Sequence, residues 1–253
     1  MAPGGERRTI PLREVVLPHH CPRPVRMDVL SRTPYFAGLD PDALDGIDRR
    51  MRARTVRAHE HVYVAGEPAD ALYVVAQGAV SLAHVTEDGA PTLTDVLVSG
   101  ELFGAMGTLG EPVHLQTATA LVDTCALRIG QDDFRAVLRE RPVVALRVLD
   151  DVAARLARAH DDIGGQSTDT VPQRVATALL RLADKVGRDR PGEGLLLEVP
   201  LSRADLAALA RTTPESVSRV MSGWKQQRVV ASGRRWTAIL DRDRLEQKAR
   251  GSA

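Results

Sequence analysis

The chain has 253 residues, of which 43% are hydrophobic and 26% charged, and a net charge of +1. That is enough chain for one large domain or two ordinary ones, while the near-neutral balance excludes attraction of the whole molecule to nucleic acid or membrane. No apolar run approaches the roughly 18 residues of a membrane span, and no signal-peptide core is present, so the expectation is a cytoplasmic protein without a membrane partner.

Aromatic residues make up only 3% of the chain, which leaves packing to Leu, Val and Ala. Cys21 and Cys125 stand far apart in sequence. Two thiols do not make a disulfide framework, and they cannot hold a four-thiolate iron–sulfur cluster within one chain.

Residues 1–24 carry Pro3, Pro11, Pro18, Pro22 and Pro24 without a sustained period and read as an arm. A short helix is predicted from Asp40 to Met51, with Asp40 as cap, Pro41 in the first turn and Leu44, Ile47 and Met51 on one face. From 54 to 130 the runs HVYVA, ALYVVA, AVSLAHV, LTDVLV and CALRI are punctuated by Gly66, Gly78, Gly89 and Gly100. This spacing predicts an antiparallel barrel or sandwich, with Asp88-Gly89 as a hairpin turn. Cys125, in an apolar strand, reads as a buried small residue. The tracts MRARTVRA and DRDRLEQKAR mix Arg with other polar residues in the manner of solvated surface.

Asp132–Ile163 reads as helix. Leu149, Val152, Leu156, Ala159 and Ile163 are spaced 3, 4, 3, 4, a seam that a second copy or the chain's own core could equally cover. Gly164-Gly165 is expected to end this helix. Thr170 and Gln173 then form a capping-box pattern for a helix carrying Val175, Ala176, Leu179, Leu180 and Leu182. The paired acids Asp150-Asp151 and Asp161-Asp162 do not face each other on a helix, so they read as solvated charge.

Ser202 and Asp205 open a further helix, and Thr213 caps another whose first turn holds Pro214. Two short helices joined by a tight turn make a helix-turn-helix, whose second helix offers its N-terminal residues to the major groove. Glu215 is suited to cytosine N4 and Arg219 to guanine O6 and N7, with Ser216 and Ser218 as short hydrogen-bonding groups. Val217, Val220, Met221 and Trp224 keep the opposite face for a core. Between Ser202 and Trp236 seven bases (Arg203, Arg211, Arg219, Lys225, Arg228, Arg234, Arg235) meet two acids (Asp205, Glu215). That local excess attracts phosphate in a salt-dependent way. VVASGRRWTAIL reads as a wing of two strands, with Arg234 and Arg235 placed for the DNA backbone. Arg211 occupies the turn where glycine is frequent.

In this order, GEPADALYVVAQGAVSL, GELFGAMGTLG, PQRVATALLRLA and LSRADLAALARTTPESVSRVMSGWKQQRVV resemble the Crp/Fnr family of bacterial transcription regulators over about residues 28–245. The resemblance implies an α+β fold: an N-terminal antiparallel, jelly-roll-like β-roll, a long dimerisation helix and a C-terminal winged helix-turn-helix. The expected organisation is an arm over 1–24, a sensor roll over 25–131, a dimer-helix region over 132–164, a hinge over 165–170 and a DNA-binding domain over 171–253.

It also implies a homodimer on double-stranded DNA, with RNA polymerase as a further partner. The Glu215–Ser218–Arg219 set resembles an Fnr-type reading head for an inverted TTGAT-like site. Ser202, Thr213, Ser216, Lys225, Arg234 and Arg235 complete the expected DNA-binding set.

For the effector, the cyclic-nucleotide branch has a Glu for the ribose where this chain has Ala105, and an Arg-Ser pair for the phosphate where it has His114 and Leu115. A Thr-Ser pair that contacts adenine is replaced by Ala159 and His160. With Met106 and Gln116 these positions outline the candidate pocket, and ordinary cAMP binding is not expected there. Cys21 alone does not supply the Fnr cluster. His19, His20 and Cys21 in PHHCPRP offer ligands for haem, which makes a haem-based gas or redox sensor the alternative. No catalytic constellation is visible, so an enzyme is not expected. The rival from another class is a ligand-binding module that governs a protein partner.

Overall fold

The computed structural model describes residues 21–85, 91–104, 112–166, 169–233 and 236–251. The chain divides into two compact units, one ending at Thr168 and the other continuing from Asp169.

The N-terminal unit opens with helices α1 (Arg23–Arg32) and α2 (Pro41–Arg50). Asp40 caps α2 as its sequence predicts, accepting from the Ala43 N–H at 2.8 Å; such a cap contributes about 1 kcal/mol. Helix α1 is a correction to the arm expected over 1–24, because Pro22 and Pro24 here start a helix instead of breaking one. Arg26 holds α1 to α2 through both oxygens of the buried Asp48, at 2.7 and 2.8 Å, a two-pronged, charge-assisted pairing.

Strands β1 (Met51–Val56), β2 (His61–Tyr63), β3 (Ala71–Gln77), β4 (Ala79–Val85), β5 (Pro91–Val98), β6 (Leu102–Phe103), β7 (Thr117–Ala120) and β8 (Thr124–Gly130) form two antiparallel sheets. Their orders are β1-β8-β3-β6 and β2-β7-β4-β5. Gly66, Gly78 and Gly100 all carry positive φ, as turn glycines should. At Gly78 a β-carbon would also lie 2.5 Å from Thr124 Oγ1. Asp88-Gly89 lies outside the described residues, between β4 and β5, which pair antiparallel. MRARTVRA supplies β1, an edge strand whose Arg52, Ala53, Arg54 and Thr55 are exposed. Charge on an edge strand is compatible with pairing on one side only.

Two apolar clusters follow from the alternation of β3 and β8. Tyr73, Val75 and Ala126 point into the roll, while Leu72, Val74, Cys125 and Leu127 point to the face covered by helices. Strand β3 is buried on both sides, and ALYVVA is accordingly an unbroken apolar run.

The stretch read as helical from Asp132 to Ile163 consists of two helices, α3 (Gln131–Glu140) and α4 (Pro142–Gln166). Pro142 lacks an N–H and pushes Arg141 out of helical geometry, to φ −133°, ψ 78°. Helix α4 also runs through Gly164 and Gly165 to Gln166, correcting the predicted stop. Glycine costs a helix about 1 kcal/mol of entropy per residue but does not block it sterically as proline does. Val144 and Val148 of α4 join the helix-covered core. Asp151 is not merely solvated charge: it accepts the Tyr35 hydroxyl at 2.5 Å.

The C-terminal unit contains α5 (Val171–Val186), β9 (Gly187–Arg190), β10 (Gly194–Leu197), α6 (Arg203–Leu209), α7 (Pro214–Gln226), β11 (Val230–Gly233), β12 (Trp236–Ile239) and α8 (Arg242–Ala249). Its sheet runs β11-β12-β10-β9. At α5 the expected capping box of Thr170 and Gln173 is present, the Thr170 N–H donating to Gln173 Oε1 at 2.8 Å. Helix α5 packs against α6, α7 and α8 and buries Val175, Leu179 and Leu182. The β9–β10 pair was not signalled by any period in GRDRPGEGLLL, and α8 turns the DRDRLEQKAR tract into a surface helix with only Leu245 buried.

Candidate nucleic-acid interface

Helices α6 and α7 are each set at their first residue. Ser202 Oγ accepts from the Asp205 N–H at 3.1 Å, and the Ser202 N–H donates to Asp205 Oδ2 at 2.7 Å. Thr213 Oγ1 accepts from the Ser216 N–H at 3.3 Å. Between the helices Arg211 adopts φ 48°, a left-handed conformation that costs a side-chain-bearing residue about 1 kcal/mol. Arg174 of α5 braces that corner. Its Nε donates to the Ala210 carbonyl at 3.0 Å and its Nη2 to that of Arg211 at 3.4 Å, while Nη1 reaches the Asp169 carbonyl at 2.6 Å.

On α7, Val217, Met221 and Trp224 are buried and hold the helix to its unit. Glu215, Ser218, Arg219 and Ser222 are exposed, at the i, i+3, i+4, i+7 spacing of one helix face. Lys225 continues the same face. Ser216 is half-buried, and its hydroxyl accepts from that of Thr213 at 3.2 Å. The polar front end of α7 is therefore a solvent-facing stripe of hydrogen-bonding groups over an apolar base.

Strand β11 is tied to both helices at one residue. Ser232 Oγ accepts from Arg203 Nη2 at 2.7 Å, and its carbonyl lies 3.5 Å from Lys225 Nζ. Burial lowers the Arg203 guanidinium from its ordinary value, though not enough to discharge a group of such basicity. Strands β11 and β12 pair antiparallel, with Gly233 opposite Trp236. Arg234 and Arg235 lie outside the described residues. Arg174 and Ser222 went unmarked in the sequence, Arg203 was read only as part of the local positive charge, and the contact of Ser232 with Arg203 was not foreseen. The spacing of Ser222 from Ser218 would have found that residue; the contacts of Arg174, and of Arg203 with Ser232, span long sequence gaps.

In the N-terminal unit the proposed pocket residues part company. His114 is buried and stacks on Tyr63, with ring centroids 3.6 Å apart and planes 10° from parallel. Tyr73 and Phe103 continue the aromatic group, 5.4 Å apart. Burial lowers the His114 imidazole from its ordinary pKa of 6.5, against the opposing charges of Asp70 and Glu67. Leu115 faces solvent, and Gln116 Nε2 donates to Thr94 Oγ1 at 2.8 Å. Ala105 and Met106 lie outside the described residues, as do the side chains of Ala159, His160 and Ile163 and the residues His19 and His20.

Among the described residues no group of three or more His, Cys, Asp or Glu side chains is arranged to hold a metal ion. No helix there is long and apolar enough to cross a membrane. On α4, Leu149 and Leu156 are each 57% exposed and Val152 37%, beside Leu146 at 62%. The chain's own core therefore does not cover this stripe.

Residues 53–141 match the cyclic nucleotide-binding domain and residues 173–248 the Crp-like helix-turn-helix domain. A cyclic AMP receptor protein of Thermus thermophilus is 33% identical over 224 residues, covering 88% of this chain and 100% of its own length. The chain belongs to the Crp/Fnr family of transcription regulators. A second Crp/Fnr relative, the CRP-like cAMP-activated global transcriptional regulator of Mycobacterium tuberculosis, is 25% identical over 88% of this chain and 99% of its own. The solved structure of FixK2 from Bradyrhizobium japonicum superposes with a TM-score of 0.68 at 27% identity, over 78% of this chain and 96% of that one. The Crp/Fnr fold, α+β with a roll and a helix-turn-helix, is the one expected from the motifs.

Proposed function

We propose that the protein acts as a homodimer that reads a two-fold-related DNA site with TTGAT-like half-sites, and that cAMP is not its effector. The exposed Glu215–Ser218–Arg219–Ser222 face of α7, on a helix anchored by Val217, Met221 and Trp224, carries this reading. Glu215 and Arg219 contact base edges, Ser218 and Ser222 supply short polar contacts, and Ser202, Thr213 and Lys225 lie toward phosphate. Ser216 acts through the Thr213 cap. The bare Leu146–Leu149–Val152–Leu156 stripe of α4 forms the seam with a second copy, which sets two reading heads about one DNA turn apart. RNA polymerase is the further partner that a regulator of this family would engage.

Against cAMP, the residue standing at the phosphate position, His114, is stacked in an aromatic cluster and kept neutral by burial. Its neighbour Leu115 brings no charge. A cyclic phosphodiester placed there would lack a cationic partner. The effector is then another molecule, or DNA binding proceeds without one, with the roll, α4 and the link that follows it as the coupled parts.

The test is selection of binding sites from random duplexes by the wild-type protein and by Arg219→Ala, with affinities measured at several salt concentrations. The expected result is an inverted repeat for the wild type, a steep fall of affinity with salt, and a loss of preference at one base pair per half-site worth about 1–3 kcal/mol in the variant. Unchanged base preference in Arg219→Ala overturns the assignment. Salt-insensitive binding with no recovered motif would favour a module that governs a protein partner.

A further inference from the structure

Side chains from both helices of the reading unit converge on Ser232. The chain passes from α7 to β11 through only three residues, turning at Arg228 with φ 54°. The Val229 N–H donates to the Trp224 carbonyl at 2.9 Å, which fixes the root of the strand. Three residues further on Ser232 is buried, and Arg203 Nη2 donates to its hydroxyl at 2.7 Å. Strand β11 is an edge strand paired only with β12, so the Arg203 bond is a separate tether, to α6. The next residue, Gly233, lies against the indole of Trp236, where a β-carbon would fall 2.2 Å from Nε1. A half-buried guanidinium is a costly means of holding one serine, which points to a use beyond packing.

What the tether sets is the Ser232 carbonyl. It lies 3.5 Å from Lys225 Nζ, at the end of the exposed face of Glu215, Ser218, Arg219 and Ser222. A contact of that length orients an ammonium without consuming it: two of its N–H donors stay free and the third is loosely engaged. The flexible lysine stem thereby gives up rotamer freedom before a phosphate arrives, and less is lost on binding.

We propose that Arg203 and Ser232 are positioning residues for DNA binding, which set the Lys225 ammonium for a backbone phosphate through the Ser232 carbonyl. This rests on the reading of α7 as the DNA-reading helix, and it gives Arg203 no phosphate of its own.

The test is a double-mutant cycle on the full-length protein, with affinity for one duplex bearing the wild type's selected repeat measured against salt. Lys225→Ala should lower affinity and flatten the slope of log affinity against log salt by about 1. Ser232→Ala should lower affinity about threefold or more and remove part of the same slope, although it deletes no charge. Ser232→Thr keeps the hydroxyl and should restore both. In the Lys225→Ala background Ser232→Ala should have no further effect. A loss that persists undiminished in that background makes the bond a matter of wing stability alone and overturns the proposal. An affinity unchanged or raised by Ser232→Ala also overturns it. Should Ser232→Ala fail to fold, Arg203→Met, which keeps the stem and loses the donors, is carried through the same cycle. It should add nothing to Lys225→Ala; a further flattening of about 1 there makes Arg203 a phosphate ligand and overturns the proposal. A wild type that selects no duplex removes the DNA-reading assignment, and this proposal with it, before any variant is compared.

Discussion

Arg174→Ala tests whether the corner of the helix-turn-helix is braced from outside. Three hydrogen bonds from one guanidinium meet the carbonyls of Asp169, Ala210 and Arg211. The contact at 3.4 Å is too long to count for much, which leaves two good bonds. At about 0.5–1.5 kcal/mol net for each, the variant should lose about 1–3 kcal/mol, the lower part of that range being favoured because Arg174 is only half-buried. The loss falls on a turn that already contains a left-handed Arg211. A loss of about 1.4–2.8 kcal/mol raises the local opening constant roughly tenfold to a hundredfold. Hydrogen exchange followed by mass spectrometry on peptides spanning 207–216 reads that quantity directly. Faster exchange should be confined to the turn and the adjoining ends of α6 and α7, with the roll unaffected. Arg174→Lys should recover part of the protection, since an ammonium can reach one carbonyl but not several. The base preference of bound DNA should stay that of the wild type, because Arg174 lies off the α7 stripe. Unchanged exchange over the turn in Arg174→Ala would show that the corner is held by α6 and α7 alone.

Three further outcomes follow from other parts of the molecule. Leu149→Lys should weaken the dimer: full burial of a leucine is worth about 1.5–3 kcal/mol and 57% of this one is bare, so about 1–2 kcal/mol per chain is at stake. Sedimentation should show a dimer dissociation constant raised by roughly 30-fold or more, with unfolding of the monomer little changed; an unaltered dimer removes α4 from the seam. Because burial depresses the His114 pKa, the folded roll prefers neutral imidazole, and the unfolded chain binds the extra proton as pH falls below 6.5. Its contribution to stability is complete above that pH and declines below it, through the depressed folded pKa. His114→Phe keeps the stack on Tyr63 and should flatten that acid-side decline in unfolding experiments from pH 7 to 5; an identical pH profile in the variant refutes the neutral-imidazole assignment. Thr213→Ala should cost about 1 kcal/mol through the lost cap and lower DNA affinity without altering base preference, a comparison made by binding to one fixed duplex.

Local signals in the sequence were enough to place most elements. Caps at Asp40, Ser202 and Thr213, the glycines at 66, 78 and 100, and the apolar base of α7 each declare themselves within a few residues, because capping, turn formation and amphipathic periodicity are short-range effects. The Glu215–Arg219 stripe was legible for the same reason. Where the reading erred, the competing effects were also local but close in strength: Pro142 divides the helical stretch in two, and Gly164-Gly165 failed to stop a helix that entropy alone opposed.

What no window of sequence displays is which distant groups meet. The sequence by itself determined the order of elements, the polar tip of α7 and the family. Only the tertiary structure decided that Arg174 reaches the turn 36 positions away, that Ser232 joins the wing to both helices, and that Leu149 is bare while Val148 is core. Periodicity states that a side chain has a preferred face, but the partner on that face is chosen by the packing of whole layers, in which every contact depends on where all the other elements have come to rest.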